Sequence, residues 1–184
     1  MEICLQPIGN VDKKIIEFLK INLGKVFGKC RILKIMEVPN EAYNSRRNQY
    51  NSSIILMKLP KICEIVLGVT EVDIFAYTFN FIFGEAELNG KRAVISLARL
   101  NPEFYGEDYD ENLLKIRTLK ESMHEIGHVL GLFHCKNKKC VMSFSNTILD
   151  TDYKDWRYCS KCLEKLKGEG INLNLLENPN GLND

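Results

Sequence analysis

His124-Glu125-Ile126-Gly127-His128-Val129-Leu130-Gly131-Leu132-Phe133-His134 holds all three histidines of the chain within eleven residues. Around it, Leu119, Met123, Ile126 and Leu130 recur on one apolar stripe, which predicts a helix from about Asn112 that Gly131 ends. On that helix His124 and His128 stand at i and i+4, so both imidazoles leave one face, one turn apart. Two nitrogens so placed can reach one Zn²⁺ at ~2.0–2.1 Å. Glu125 is rotated away from the metal's inner shell but within reach of a water on it, which suits a general base. Gly131 has a separate task. A glycine can adopt left-handed backbone geometry, and the resulting bend lets His134 approach the same ion from outside the helix. Three histidines leave a fourth position open for water, the arrangement of a catalytic rather than a structural zinc. His-Glu-x-x-His alone also arises by chance in helices that bind nothing. The added Gly131 and His134 at matching spacing weigh against that reading.

Four cysteines follow directly. Cys159-x-x-Cys162 has the spacing at which two thiolates share one metal, and Cys135-x-x-x-x-Cys140 is a looser pair within the usual ligand range. Together they offer a closed Cys₄ tetrahedron with Zn–S near ~2.3 Å, hence a structural site. Neighbouring side chains in an extended segment point in opposite directions, so His134 can face one metal and Cys135 the other. Lys136, Lys138 and Lys139 stand where they can offset the charge of a zinc tetrathiolate. Cys159 and Cys162 alone would also suit a redox pair, but two further cysteines are at hand as partners. Cys4, Cys30 and Cys63 lie in apolar contexts and read as small core residues.

The run from His124 to His134 matches the metzincin pattern H-E-x-x-H-x-x-G-x-x-H. Met142 stands where metzincins place the Met-turn methionine beneath the zinc, and the interleaved cysteines resemble those of the archaemetzincins. Leu67-Gly68-Val69-Thr70-Glu71-Val72-Asp73, Phe83-Gly84 and Ala93-Val94-Ile95-Ser96-Leu97-Ala98-Arg99 are similar to that family as well. The resemblance implies a zincin-type α+β fold, with a twisted mixed β-sheet, an active-site helix and a small Cys₄-zinc C-terminal lobe. It also implies a zinc metallopeptidase. The 16 residues between Met142 and Cys159 are one short of the family's spacing of about 17, a deletion that a loop tolerates.

Outward from this centre the chain reads as one metallopeptidase domain over residues 1–177, divided into 1–131 and a zinc-stapled 132–177, with a tail over 178–184. Val11, Ile15, Phe18, Leu19 and Leu23 predict a first helix capped by Asp12 and stopped by Gly24. Cys30 to Val38 reads as a strand, residues 40–53 as a polar surface connection, and Ile54 to Leu59 as a short helix closed by Pro60. Ile65 to Val69 is a buried-strand candidate. Phe79–Leu88 and Ala93–Leu100 flank Asn89-Gly90, the strongest short hairpin signal.

Lys plus Arg is 25 and Asp plus Glu 24 over 184 residues, a formal charge of +1. That balance argues against a nucleic-acid wrap or an anionic membrane surface. No apolar run approaches the ~20 residues of a membrane span, and the N-terminus carries no secretory pattern, so a cytoplasmic location is expected. Seven cysteines, an odd count, then point to metal ligation rather than a disulfide framework. The expected chemistry is peptide hydrolysis by a monomer holding two Zn²⁺. His124, His128 and His134 bind the first, Cys135, Cys140, Cys159 and Cys162 the second, and Glu125 is the base. Met142 would form an apolar floor. A peptide or protein substrate would lie extended along Phe79–Leu88 if that strand is a sheet edge, and Tyr153 or Tyr158 is the candidate oxyanion stabiliser. The spacing suits aminopeptidase and endopeptidase action alike. The rival reading is a non-catalytic zinc protein whose Cys₄ lobe recruits a partner, and the intact Glu125 speaks against it.

Overall fold

A computed structural model describes residues 1–174. It is built on a five-stranded sheet of order β2-β1-β5-β8-β7, formed by β1 (Glu2–Ile8), β2 (Lys29–Ile32), β5 (Ile65–Thr70), β7 (Gly84–Ala86) and β8 (Arg92–Ser96). The pairs among β2, β1, β5 and β8 are parallel, and β7 closes one side antiparallel to β8. A smaller sheet joins β3 (Tyr43–Asn44), β4 (Gln49–Asn51) and β6 (Ile74–Phe75).

The central strands are buried on both faces, and their period of two sorts side chains into two cores. Ile3, Leu5, Ile65, Leu67, Val69, Ala93 and Ile95 join the first, which is covered by α1 (Lys13–Phe27) and α3 (Glu111–Val129). Cys4, Ile8, Val66 and Val94 join the second, under α2 (Ser52–Lys58). Leu132, Val141, Met142, Trp156, Tyr158 and Leu166 extend the first core into the C-terminal part, which carries α4 (Ile148–Tyr153) and α5 (Ser160–Gly168). No described helix is long and apolar enough to cross a membrane.

The structure redraws several boundaries. Asp12 does cap α1, its side chain accepting from Lys14 N, but the helix runs past Gly24 to Phe27, and Gly28 ends it at φ +110°. A Cβ on Gly24 would meet Cys30 only at ordinary contact distance, so Gly24 is an ordinary helical position rather than a stop. The apolar run from Cys30 to Val38 pairs only as far as Ile32, and beyond that Met36 makes one isolated bridge to Ile8. Residues 40–53 are not a plain surface connection, since they hold the β3–β4 hairpin. Asn89 takes the left-handed turn conformation at φ +53° as expected, but the paired strands of that hairpin are shorter than Phe79–Leu88 and Ala93–Leu100. β1 itself, the strand between β2 and β5, was not anticipated. The expected tail over 178–184 lies outside the described residues, as does the end of the domain range at 177.

Cys4 and Cys63 are joined as a disulfide across 59 residues. The pair departs from the expectation that Cys4 and Cys63 are simply small core residues. The sheet supplies what sequence separation hid: Ile3 pairs with Ile65, which carries Cys63 alongside β1. Cys30 stays a free thiol, and burial pushes its pKa up to about 12.

Candidate metal centre and active site

Helix α3 carries the first three functional residues because its N-cap Asp110 accepts from Leu113 N and its apolar side packs on the sheet. His124 and His128 leave the helix with Nε2 atoms 3.2 Å apart. Their Nδ1 atoms are already engaged, His124 with Val141 O at 2.7 Å and His128 with Leu132 O at 2.7 Å. Those carbonyls accept N–H donation, which places the lone pair on each Nε2 and fixes both rings. Gly131, at φ +89°, then bends the chain so that the His134 ring sits 5.4 Å from His124 and 4.9 Å from His128, centroid to centroid. One ring nitrogen from each lies within 4.8 Å of the others. Two ~2.05 Å bonds at a tetrahedral angle separate their nitrogens by roughly 3.3 Å, so the His124–His128 spacing fits one zinc. Burial drives all three imidazoles below their ordinary pKa, helped by the Lys154 ammonium, and neutral rings are what a metal needs.

Glu125 packs against β7 on the same groove. It is buried at 5% exposure, and a Cβ built on Gly84 would strike its carboxylate. Only a glycine lets β7 approach this close. Burial, then the neighbouring Glu121 charge, push the Glu125 carboxyl well above the usual range, and Glu85 adds to this while Lys154 opposes it. A divalent cation at the histidines would pull in the lowering direction.

The histidines and Glu125 open onto a groove of about 590 Å³. Gly84, Glu85 and Ala86 of β7 form one wall and Phe144, Ser145 and Asn146 another. β7 is the outer strand of its sheet, so the Phe79–Leu88 segment does supply a sheet edge beside the histidines. Met142 is fully buried beneath the helix, where a Cβ on Gly127 would fall on its Sδ.

The four cysteines converge as well. Cys135 Sγ lies 3.8 Å from Cys159 Sγ, and Cys140 Sγ 3.7 Å from Cys162 Sγ. Four ~2.3 Å bonds in a tetrahedron put the sulfurs roughly 3.8 Å apart, so the set fits one zinc. Burial raises the Cys140 and Cys162 thiols. Burial also acts on Cys159, but hydrogen bonds from the Cys162 backbone and the surrounding thiols outweigh it and bring Cys159 down to about 7. Cys135 N donates to Met142 O at 2.8 Å, tying the segment after His134 to the methionine under the helix.

Neither tyrosine reaches the groove. Tyr158 is buried with its hydroxyl donating to Met123 O at 2.6 Å, so it is a packed aromatic. Tyr153 is exposed against the Lys139 ammonium, 3.9 Å from ring centroid to Nζ. Sequence reading missed Glu121 and Lys154. Their side chains form a buried ion pair at 2.9 Å without hydrogen-bond alignment, and Glu121 lines the groove. Glu121 precedes Glu125 by one helical turn and was within reach of a periodicity argument. Lys154 carried no local signal.

Known proteins resemble this chain over most of its length. The model of peptidase family M54 matches residues 19–168. The archaemetzincin of Methanocaldococcus jannaschii is 61% identical, covering 95% of this chain and 98% of the relative. That of Pyrococcus furiosus is 48% identical over 90% of this chain and 92% of the relative. The crystal structure of the Archaeoglobus fulgidus archaemetzincin complexed with malonate superposes with a TM-score of 0.82 at 45% identity, covering 90% of this chain and 99% of that one. The Methanopyrus kandleri archaemetzincin gives 0.80 at 33%, covering 91% and 94%. With three imidazoles, a buried glutamate and four thiols on a fold shared almost end to end with these proteins, the chain belongs to peptidase family M54, the archaemetzincin zinc metallopeptidases.

Proposed function

We propose that His124, His128 and His134 hold the zinc at which peptide bonds are cut, that Glu125 is the general base, and that Cys135, Cys140, Cys159 and Cys162 hold a second, structural zinc, making two per chain. The observation that carries this is the convergence of three ring nitrogens within 4.8 Å beside a buried carboxylate, all opening on one groove. Zinc, when bound there, supplies Lewis acidity to the scissile carbonyl and lowers the pKa of water.

This chain's residues do the rest. The substrate backbone lies extended against the outer edge of β7, where main-chain pairing orients it without reading its sequence. Glu125, buried against Gly84, accepts the proton from the attacking water and delivers it to the leaving amine. The Val141 and Leu132 carbonyls hold the first two imidazoles in their ligating tautomer. Met142 gives the rings a non-ligating apolar floor. The molecule acts as a monomeric single domain in the cytoplasm on peptide or protein substrates, with no nucleic acid or membrane partner.

Glu125→Gln tests the assignment, since it keeps shape and removes the base. The expected result is unchanged zinc content by elemental analysis with peptide hydrolysis reduced about 10²–10⁴-fold. Full residual activity with zinc retained removes Glu125 from the mechanism.

A further inference from the structure

Two half-exposed aromatic rings stand on different walls of the groove. Phe79 belongs to the segment ahead of β7, and Phe144 follows Met142. They are 46% and 42% exposed, although such side chains are normally buried. Their centroids are 6.4 Å apart with planes tilted by 42°, and the Phe144 ring lies 5.1 Å from the His134 imidazole. The backbone beneath Phe79 is firmly held. The Arg47 guanidinium donates to Phe79 O at 3.1 Å and Asn80 O at 2.8 Å, and Gln49 Nε2 donates to Asn80 O at 3.0 Å. The structure therefore fixes the wall and leaves the ring free.

We propose that Phe79 and Phe144 form a side-chain subsite that selects peptides carrying a bulky apolar residue, aliphatic or aromatic, at one position beside the scissile bond. This rests on the metallopeptidase reading and names the substrate class of that same groove. A carbon chain packs at ~3.5–4.0 Å from each ring, so intercalation needs roughly 7–8 Å between them. The observed 6.4 Å is slightly less, and a side-chain rotation of either half-exposed ring opens it. The rings then exchange water for substrate on faces that the fold leaves wet. Anionic side chains meet Glu85, Glu121 and Glu125 along the same groove. For cationic side chains, Glu121 is already neutralised by Lys154, and Glu85, which accepts from Ser52 and Ser53, lies on β7 rather than at the two rings. Cationic side chains also face repulsion from zinc at the histidines. At the two rings themselves, the side chain that matches is apolar.

The experiment uses zinc-loaded Glu125→Gln, which binds without turnover, and calorimetric dissociation constants for peptides differing at one position among Leu, Phe, Gly, Lys and Glu. The expected result is a single position at which Leu and Phe bind about tenfold or more tightly than Gly. Adding Phe79→Ala or Phe144→Ala brings that ratio close to one, and adding Phe144→Leu retains most of it. A loss of packing alone would weaken all peptides in parallel. Parallel weakening, a Gly peptide binding as well as Leu, or a preference for Lys overturns the subsite while leaving peptide recognition intact. Failure of every peptide to bind overturns the subsite and the peptidase reading together.

Discussion

Gly131 shows how a single residue shapes the proposed metal centre. Its φ of +89° is forbidding to a side chain, and a Cβ there would also strike the Asn89 amide oxygen in the hairpin turn. Gly131→Ala should therefore cost about 1–3 kcal/mol of stability, from backbone strain together with the collision. It should also weaken zinc retention, because the bend delivers His134. Gly170→Ala is the control. Its φ is +77° but nothing lies within 4 Å of a built Cβ, so it reads backbone strain alone. Chemical denaturation of both variants and zinc release to a chelator check this. Equal destabilisation with unchanged release refutes the role given to the bend. Gly131 was legible in the sequence because its demand is local: a bend between a helix and a ligand. The close approaches at Gly84 and Gly127 were not, because Glu125 and Tyr158 meet them through the tertiary fold.

At the scale of elements, the β7–β8 hairpin sets the groove wall, and its turn rests on α3 through Asn89 N donating to His128 O at 3.2 Å. Its register is pinned by Glu87 and Arg92, whose guanidinium also donates to Met57 O at 2.8 Å. The hydrogen bond from Arg92 outweighs the opposing burial, and with help from Lys91 N and Lys61 it lowers the Glu87 carboxyl from 4.5 to about 2. A carboxyl depressed by folding stabilises the fold above its unfolded pKa, and that contribution is lost as pH falls through the folded value. The difference in stability between the parent chain and Glu87→Gln should thus be present above about pH 4.5, shrink towards pH 2 and vanish below it. Denaturation across that range measures it, and a pH-independent difference excludes the ion pair as its source. Asn89-Gly90 made this hairpin readable, because a two-residue turn is dictated by its own residues. β1 was not readable. All of Ile3 to Ile8 is buried, so no alternation shows, and Gln6 and Pro7 disguise the strand. Gln6 Nε2 is satisfied at Lys34 O, a partner 28 residues away. The run after Ile32 erred the other way, since apolar composition suggested a strand where only one bridge forms.

For the whole molecule the question is how the two proposed metal sites share seven consecutive residues, His134 to Cys140. His134 is exposed and follows a glycine bend, and the rings of His124, His128 and Phe144 beside it do not fix its backbone. What holds it is the next residue: Cys135 faces the thiol cluster and its N–H is tied to Met142 O. The cluster in turn joins Cys140, on the Met142 side, to Cys159 at the N-cap of α5 and Cys162 in its first turn. The coupling should therefore be one-sided. Removing Cys159 and Cys162 together, as alanines, should abolish the thiol-bound zinc and weaken retention of the histidine-bound zinc by about 10–100-fold, the usual effect of losing a ligand's support. Removing His134 as alanine should weaken the histidine site and leave the thiol site filled, because Cys140, Cys159 and Cys162 are anchored in the first core independently of it. Metal stoichiometry with stepwise chelation separates the two. Loss of both metals from the His134 variant, or undiminished histidine-site affinity in the double cysteine variant, would show that the lobe does not act as the brace for the reactive centre.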